Sequence, residues 1–274
     1  MIIIIQCKDQ VGLVADISRI LSEAKLNIIS MREHVDKAEN RFFMRLEVDG
    51  TADELILKER MQQILPEAAI VHVNPVPDKK IVVMVTKEYH CLADILIRNS
   101  FGTLGANVLC VIGNHAVLAQ ICKRFDIPFF LIPYHEDKEL SEREIINKIK
   151  LYEPDYVVLA KFMRILSPEF VANFRSKVIN IHHSFLPAFA GASPYKQAFE
   201  RGVKLIGATA HFVTDDLDEG PIIAQQIIPV NHSFTAADMV KSGQEIETAV
   251  LAKALRLVFN DRVFVHKNKT VVFE

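Results

Sequence analysis

VINIHHSFLPAF, residues 178–189, begins as a buried strand and ends as something else. Val178, Ile179 and Ile181 are apolar, and then Asn180, His182, His183 and Ser184 stand almost side by side before Pro187. Apolar strands ordinarily run out into turn residues, not into an amide and two imidazoles. The surroundings give a reason. KIVVMVT (80–86) is a continuous β-branched run, as expected of a parallel strand covered on both faces. CLADILIRN then reads as a helix, ANVLCVIGN (106–114) as a strand, and AVLAQICKRF as a helix. PFFLIP, REIINKIKLY, DYVVLAKF, SPEFVANF and VINI continue the alternation. This pattern predicts an α/β domain with a doubly wound, mostly parallel, Rossmann-like sheet. Such sheets place their chemistry beyond the carboxyl ends of the strands, where VINI runs out into Asn180 and His182.

The first quarter of the chain has a different rhythm. IIIIQC (2–7) reads as a strand, and GLVADISRILSEA (12–24) carries Leu13, Val14, Ile17, Ile20 and Leu21 at helical spacing. LNIISMREHVD and RFFMRLEVDG read as strands around the polar turn KAEN. DELILKERMQQIL (53–65) is a second helix, and AAIVHVN closes with a strand. The order βαββαβ predicts a ferredoxin-like sandwich. NPVPDKK (74–80), with two prolines and three charges, separates the two patterns. The expected division is a first domain over 1–75, a linker over 76–80 and a second domain over 81–274. Asp9, Gly12 and Leu13 mark the first strand-to-helix junction, where a glycine lets a small carboxylate approach free helix amides. On the residues alone, a plain turn and helix start accounts for the same junction.

Composition excludes several classes. With 274 residues and half of them hydrophobic, the chain can bury a large core. A formal net charge of -2 argues against a nucleic-acid binder acting through a general positive field. MIIIIQCKDQ lacks the basic head of a signal peptide, and no apolar run approaches a membrane span. Cys7, Cys91, Cys110 and Cys122 form no CxxC pair and sit in or near apolar runs, which points to buried thiols in a reducing cytoplasm.

The second polar cluster is HFVTDDLDEGP (211–221). Asp215, Asp216, Asp218 and Glu219 share one short loop, where like charges raise one another's pKa. Such a loop is a solvated acidic turn or a tuned site. Asn180, His182 and one acid of this loop form a coherent set. An amide N–H and an imidazolium can donate to a developing oxyanion, and a carboxylate can orient water and relay a proton. Ser184 could be a nucleophile, but no G-x-S-x-G elbow surrounds it. His182, His183, His211 and the acids could form a metal site. However, their spacing fits no usual zinc pattern, and adjacent histidines on an extended segment point to opposite faces, so no metal is expected.

NIHHSFLPAFAGASPYKQAFERGVKLIGATAHFVTDDLDEGPIIAQ resembles the core of the 10-formyltetrahydrofolate-dependent formyltransferases, with N-x-H followed by HxVxxxxDxGP. The resemblance implies a catalytic set of Asn180, His182 and Asp218. VVLAKFMRILSPEF (157–170) resembles the folate-pocket loop of the same family. It implies a pterin slot lined by Met163, Arg164, Ile165 and Leu166, closed by Val213, Asp215 and Asp216. Glycinamide ribonucleotide formyltransferases hold their acceptor's phosphate on a Gly-rich loop after the first strand. Here that loop reads TKEYHCLAD, without glycine and with a glutamate, which is poor material for a phosphate cradle. Methionyl-tRNA formyltransferases carry a further basic domain, and the chain ends at VHKNKTVVFE soon after its last helix, so none is expected. Lys196 in PYKQA stands where many relatives have His.

The first domain, with DQVGLVADIS at its first turn, resembles an ACT domain. ACT followed by a formyltransferase-like domain is the arrangement of the formyltetrahydrofolate deformylases, and the resemblance covers essentially the whole chain. It implies hydrolysis of 10-formyltetrahydrofolate to formate and tetrahydrofolate, feeding formate to purine synthesis and balancing the folate pool. It also implies a folate substrate without a prosthetic group, and an amino-acid effector such as glycine or methionine at the ACT domain. ACT domains commonly pair edge to edge, which implies a homodimer or homotetramer. A transferase with an amine acceptor and a non-catalytic sensor are the competing classes.

Overall fold

The computed structural model describes residues 1–134, 137–187 and 194–274; Ala188 and Phe189, the end of VINIHHSFLPAF, lie outside them. The chain forms two compact units.

The first unit spans Met1–Pro77 and includes Asp261–His266 and Val271–Glu274. Its elements are β1 (Ile2–Lys8), α1 (Leu13–Glu23), β2 (Asn27–Asp36), β3 (Arg41–Asp49), α2 (Glu54–Ile64) and β4 (Ile70–Val73). The sheet order is β2-β3-β1-β4, antiparallel throughout, as the ferredoxin-like reading requires. Helix α1 buries Leu13, Ile17, Ile20 and Leu21, one stripe at helical spacing. Its N-cap is Gly12 at φ 96°, a left-handed turn that glycine adopts without strain. Asp53 caps α2 by accepting from Leu55 and Ile56 N–H. The core gathers Ile3, Ile5, Met44, Leu46, Leu57 and Met61 around these helices.

The C-terminal residues differ from the sequence expectation, which placed all of 81–274 in the second domain. Phe264 and Phe273 bury against Phe43 of β3, with ring centroids of Phe43 and Phe264 5.7 Å apart. Burying three aromatic rings together removes a large apolar surface from water, so this end of the chain goes with the first unit.

The second unit spans Asp78–Asn260 and Lys267–Thr270. It contains β5 (Lys79–Val85), α3 (His90–Ser100), β6 (Ala106–Gly113), α4 (Ala119–Arg124), β7 (Phe129–Leu131), α5 (Lys138–Lys150) and β8 (Tyr156–Leu159). It continues with α6 (Pro168–Asn173), β9 (Val178–His182), α7 (Pro194–Arg201), β10 (Leu205–Phe212), β11 (Ile222–Pro229) and α8 (Ala236–Phe259). A hairpin of β12 (Val263–His266) and β13 (Lys269–Val272) ends the chain. AVLAQICKRF is not one helix: a 3-10 turn over Ala116–Leu118 precedes α4. The main sheet runs β11-β10-β9-β8-β5-β6-β7. Its five strands from β9 to β7 are parallel, and β10 and β11 are added antiparallel. Strand order reverses at β5, with β6 on one side and β8 on the other, so the crevice of the fold opens at their carboxyl ends.

Helices α5 and α6 cover one face of this sheet. Ile145, Ile146, Ile149, Phe170 and Phe174 pack on Val82, Met84, Val157 and Val178. Helix α8 lies along β9, β10 and β11 and packs on α3 and α7. A capping box, Thr235 with Asp238, starts it. Among the described residues no helix is long and apolar enough to cross a membrane. All four cysteines are free and buried.

Candidate active site

The register of β9 and β10 builds the site. His211 is the cross-strand partner of Asn180, and Thr209 that of His182. Paired residues share a face, so the Asn180 and His211 side chains meet, with Nδ2 3.2 Å from Nε2. His211 Nδ1 lies 2.9 Å from Phe212 O, to which its N–H donates. In the neutral ring this leaves Nε2 to accept from Asn180, whose second N–H is then free for a ligand. Thr209 Oγ1 donates to Ser184 O at 2.9 Å and accepts from Leu186 N–H at 3.1 Å, fastening the segment after the histidines.

Asp218 comes back from the acidic loop to this pair. Its Oδ1 is 3.2 Å from His182 Nδ1 and 3.7 Å from His211 Nε2. Burial alone would raise the Asp218 carboxyl, but the His182 hydrogen bond, with the His211 ring close by, outweighs it and holds the group well below the usual carboxylate range. The loop is therefore tuned in the direction opposite to like-charge crowding. Asp215 and Asp216 are exposed and point their charge to solvent, while Asp218 faces two imidazoles. Asp218 adopts φ 58°, a left-handed conformation that aspartate tolerates at some cost. His182 is buried, and its Nε2 has no hydrogen-bond partner among the described residues. An unsatisfied buried ring nitrogen at a strand end is poised for a ligand atom.

These groups line a cleft of about 310 Å³, a volume within the usual range of small-molecule sites. Every residue expected to hold a folate lines it: Met163, Arg164, Ile165, Leu166, Val213, Asp215 and Asp216. Met163 and Ile165 are 49% and 60% exposed, apolar side chains left open on the cleft wall. Met163 N–H donates to Thr86 Oγ1 at 3.0 Å, and Arg164 lies over the Tyr134 ring. Buried Glu142 accepts from Tyr134 O–H and Ser167 N–H, which anchors the far end of the loop.

In the first unit, the Asp9 N–H donates to Asn40 O, and Gly12 leaves the amides of α1 without a side-chain cap. The Leu13 side chain belongs to the core, so only its backbone remains for a ligand.

Sequence reading missed a second polar set, which reaches the cleft through Lys161. Glu247 of α8 is fully buried, accepts from Tyr195 O–H at 2.7 Å, and lies 2.8 Å from His90 Nε2 and 3.2 Å from Lys161 Nζ. Burial opposes ionisation of Glu247, but His90, Lys161 and Tyr195 together keep its carboxyl below the ordinary value. The available signals were a lysine closing the apolar strand VVLAKF and a glutamate on the buried stripe of α8. His183 also departs from expectation. It lines the cleft with His182, ring centroids 5.0 Å apart, because β9 ends at His182 and strand alternation ends with it. Donor atoms of His90, Cys91 and Glu247 lie within 4.8 Å of one another. The Lys161 ammonium already stands beside Glu247, and burial drives the Cys91 thiol far up, so this set is better suited to an internal cation than to a metal.

Residues 1–64 match the ACT domain family, and residues 79–255 match the formyl transferase family. Over 268 residues the chain is 50% identical to formyltetrahydrofolate deformylase of Escherichia coli (strain K12), covering 97% of this chain and 95% of that protein. The chain belongs to the formyltetrahydrofolate deformylase family. Its Bacillus subtilis member is 40% identical over 99% of this chain and 93% of its own length. The crystal structure of the family's Pseudomonas syringae member has 40% identity and a TM-score of 0.94, over 100% of this chain and 94% of that one. Glycinamide ribonucleotide transformylase 1 of Symbiobacterium toebii covers 74% of this chain and 98% of its own at 27% identity, with a TM-score of 0.69. The family thus shares the catalytic unit with the transformylases and adds the ACT unit.

Proposed function

We infer that this chain hydrolyses 10-formyltetrahydrofolate to formate and tetrahydrofolate, with water as the formyl acceptor. The observation that carries the reading is the buried His182 Nε2, without a hydrogen-bond partner among the described residues and backed through Nδ1 by Asp218, in a cleft of about 310 Å³. The names of the curated relatives support it.

The pterin lies in the slot of Met163, Ile165, Leu166 and Val213, with Arg164, Asp215 and Asp216 at its polar edges. Water attacks the formyl carbon. The free N–H of Asn180 and the Nε2–H of His182 donate to the oxygen as it becomes anionic. Asp218 accepts a hydrogen bond from the Nδ1–H of His182, orients the ring and balances its charge. His182 then supplies a proton to N10 as the C–N bond breaks. No prosthetic group enters this scheme. Where a phosphate-bearing acceptor would need exposed backbone amides, the segment after β5 offers Glu88 and His90.

The ACT unit is proposed to bind a small amino acid at Asp9, Gly12 and the amide of Leu13, and to pair with a second copy in a homodimer or homotetramer. Four buried thiols favour the cytoplasm. The test is to supply 10-formyltetrahydrofolate alone. One formate per tetrahydrofolate is expected; turnover that starts only when an amine is added would make the protein a transferase instead.

A further inference from the structure

The scheme above leaves the proton of the attacking water without an acceptor. Asp218 is engaged by His182 and held below the range in which it could take a proton. His182 Nε2 cannot accept while it donates to the oxyanion. Two more imidazoles line the cleft, and His211 is committed to Phe212 O and Asn180, which leaves His183. His183 sits between His182, 5.0 Å away by ring centroid, and Tyr195, 6.2 Å away.

Behind His183 stands the buried ion pair. Lys161 is 3% exposed and lies 3.2 Å from Glu247, with Glu88 at 3.9 Å. It follows Leu159, the register partner of Asn180, so it leaves β8 at the level where His182 ends β9. Its φ of 62° is left-handed, a costly conformation for a lysine. A buried ion pair adds little to stability, since desolvating two charges offsets their attraction. Strain and a buried charge pair together at the mouth of the crevice point to function.

We propose, resting on the hydrolase reading, that His183 is a further catalytic residue that takes the proton of the attacking water, and that Lys161, fixed by Glu247, is the positioning residue beside it. As the water oxygen bonds to the formyl carbon, one water O–H breaks and its proton passes to a His183 ring nitrogen. The carbonyl π pair moves to the formyl oxygen, where Asn180 and His182 donate. On collapse the C–N10 bond breaks, N10 takes the Nε2 proton of His182, and formic acid releases its remaining proton to solvent as formate. His183 then returns its proton to His182, and both rings are reset.

Electrostatics suit the role. Burial, with the charges of Lys161 and His182, drives the His183 imidazole down to about 4, against a smaller upward pull from Glu247 and Asp218. The ring is therefore an open acceptor at neutral pH. Negative charge growing on the formyl oxygen strengthens it as the proton moves.

The test is the pH profile of kcat/KM in the full-length protein. His183→Asn is expected to lose about a hundred- to ten-thousandfold in kcat, with KM little changed. Lys161→Met removes a charge that depresses His183, so the acid limb is expected to move up by about one pH unit. The double variant Lys161→Met with Glu247→Gln avoids stranding a buried carboxylate, and it is expected to move the limb the same way by less. A His183→Asn enzyme with near-normal kcat overturns the proposal. So does a folded Lys161 variant slower at every pH with its acid limb in place. Wild-type protein that releases no formate would instead refute the hydrolase reading.

Discussion

Gly220→Ala tests whether the acidic loop must close on the end of β10 to make the site. A Cβ at Gly220 would stand 1.7 Å from Phe212 O and 2.9 Å from Phe212 C, both backbone atoms. Carbon and carbonyl oxygen ordinarily approach no closer than about 3.3 Å, so the two segments must part by about 1.5 Å. Phe212 is tied on both sides, since its N–H donates to Pro221 O and its oxygen accepts from His211 Nδ1. The displacement therefore reaches His211, which touches Asn180 and Asp218. A misplacement of about 1 Å costs on the order of a hundredfold in rate. The overpacking itself costs about 1–3 kcal/mol, which for a unit of this size lowers Tm by about 2–12 °C. The assay is kcat for formate release, with circular dichroism to follow Tm. A folded variant with kcat at least about a hundredfold down is expected. A variant with unchanged Tm and near-normal kcat would refute the reasoning, because the clash would then be relieved without disturbing the site.

Asn180→Ala removes one oxyanion donor, and kcat is expected to fall about a hundred- to a thousandfold, read as initial rates. Gly243→Ala places a Cβ 2.1 Å from Tyr195 Cζ and 2.5 Å from its hydroxyl oxygen; Tyr195 should leave Glu247, with a lower Tm by thermal melts. Asp218 is a carboxyl held low in the folded state, so the stability it adds is present above its unfolded value of about 3.9 and is lost as pH falls through the folded one. The Tm gap between wild type and Asp218→Asn is therefore expected to be open at pH 6 and to narrow below about pH 4.

The sheet was legible because its strands advertise their burial. IVVMV is apolar without alternation, as a strand covered on both faces must be, and the polar groups at the end of VINI, from Asn180 on, stand where the fold keeps its chemistry. Asn180 and His182 could be picked out because an amide and an imidazole at a strand end are costly unless used, whereas Asp218 was singled out from the four acids of its loop only by the family resemblance. The partners that complete the site come from pairings that local pattern does not encode. His211 meets Asn180 through antiparallel register, and Lys161 meets Glu247 only because α8 packs back over the sheet. His183 joins the cleft because the strand stops one residue earlier. The alliance of Phe264 and Phe273 with Phe43 was hidden for the same reason, since nothing near the C-terminus records which surface it will cover.

The most direct test of the account follows the oxygen. Wild-type protein is given 10-formyltetrahydrofolate in water enriched in oxygen-18, without any amine, and the formate is weighed by mass spectrometry. Formate carrying one heavy oxygen, released one for one with tetrahydrofolate, is the expected result. Formate without the label, or none until an amine is supplied, would contradict the claim that water is the acceptor in this site.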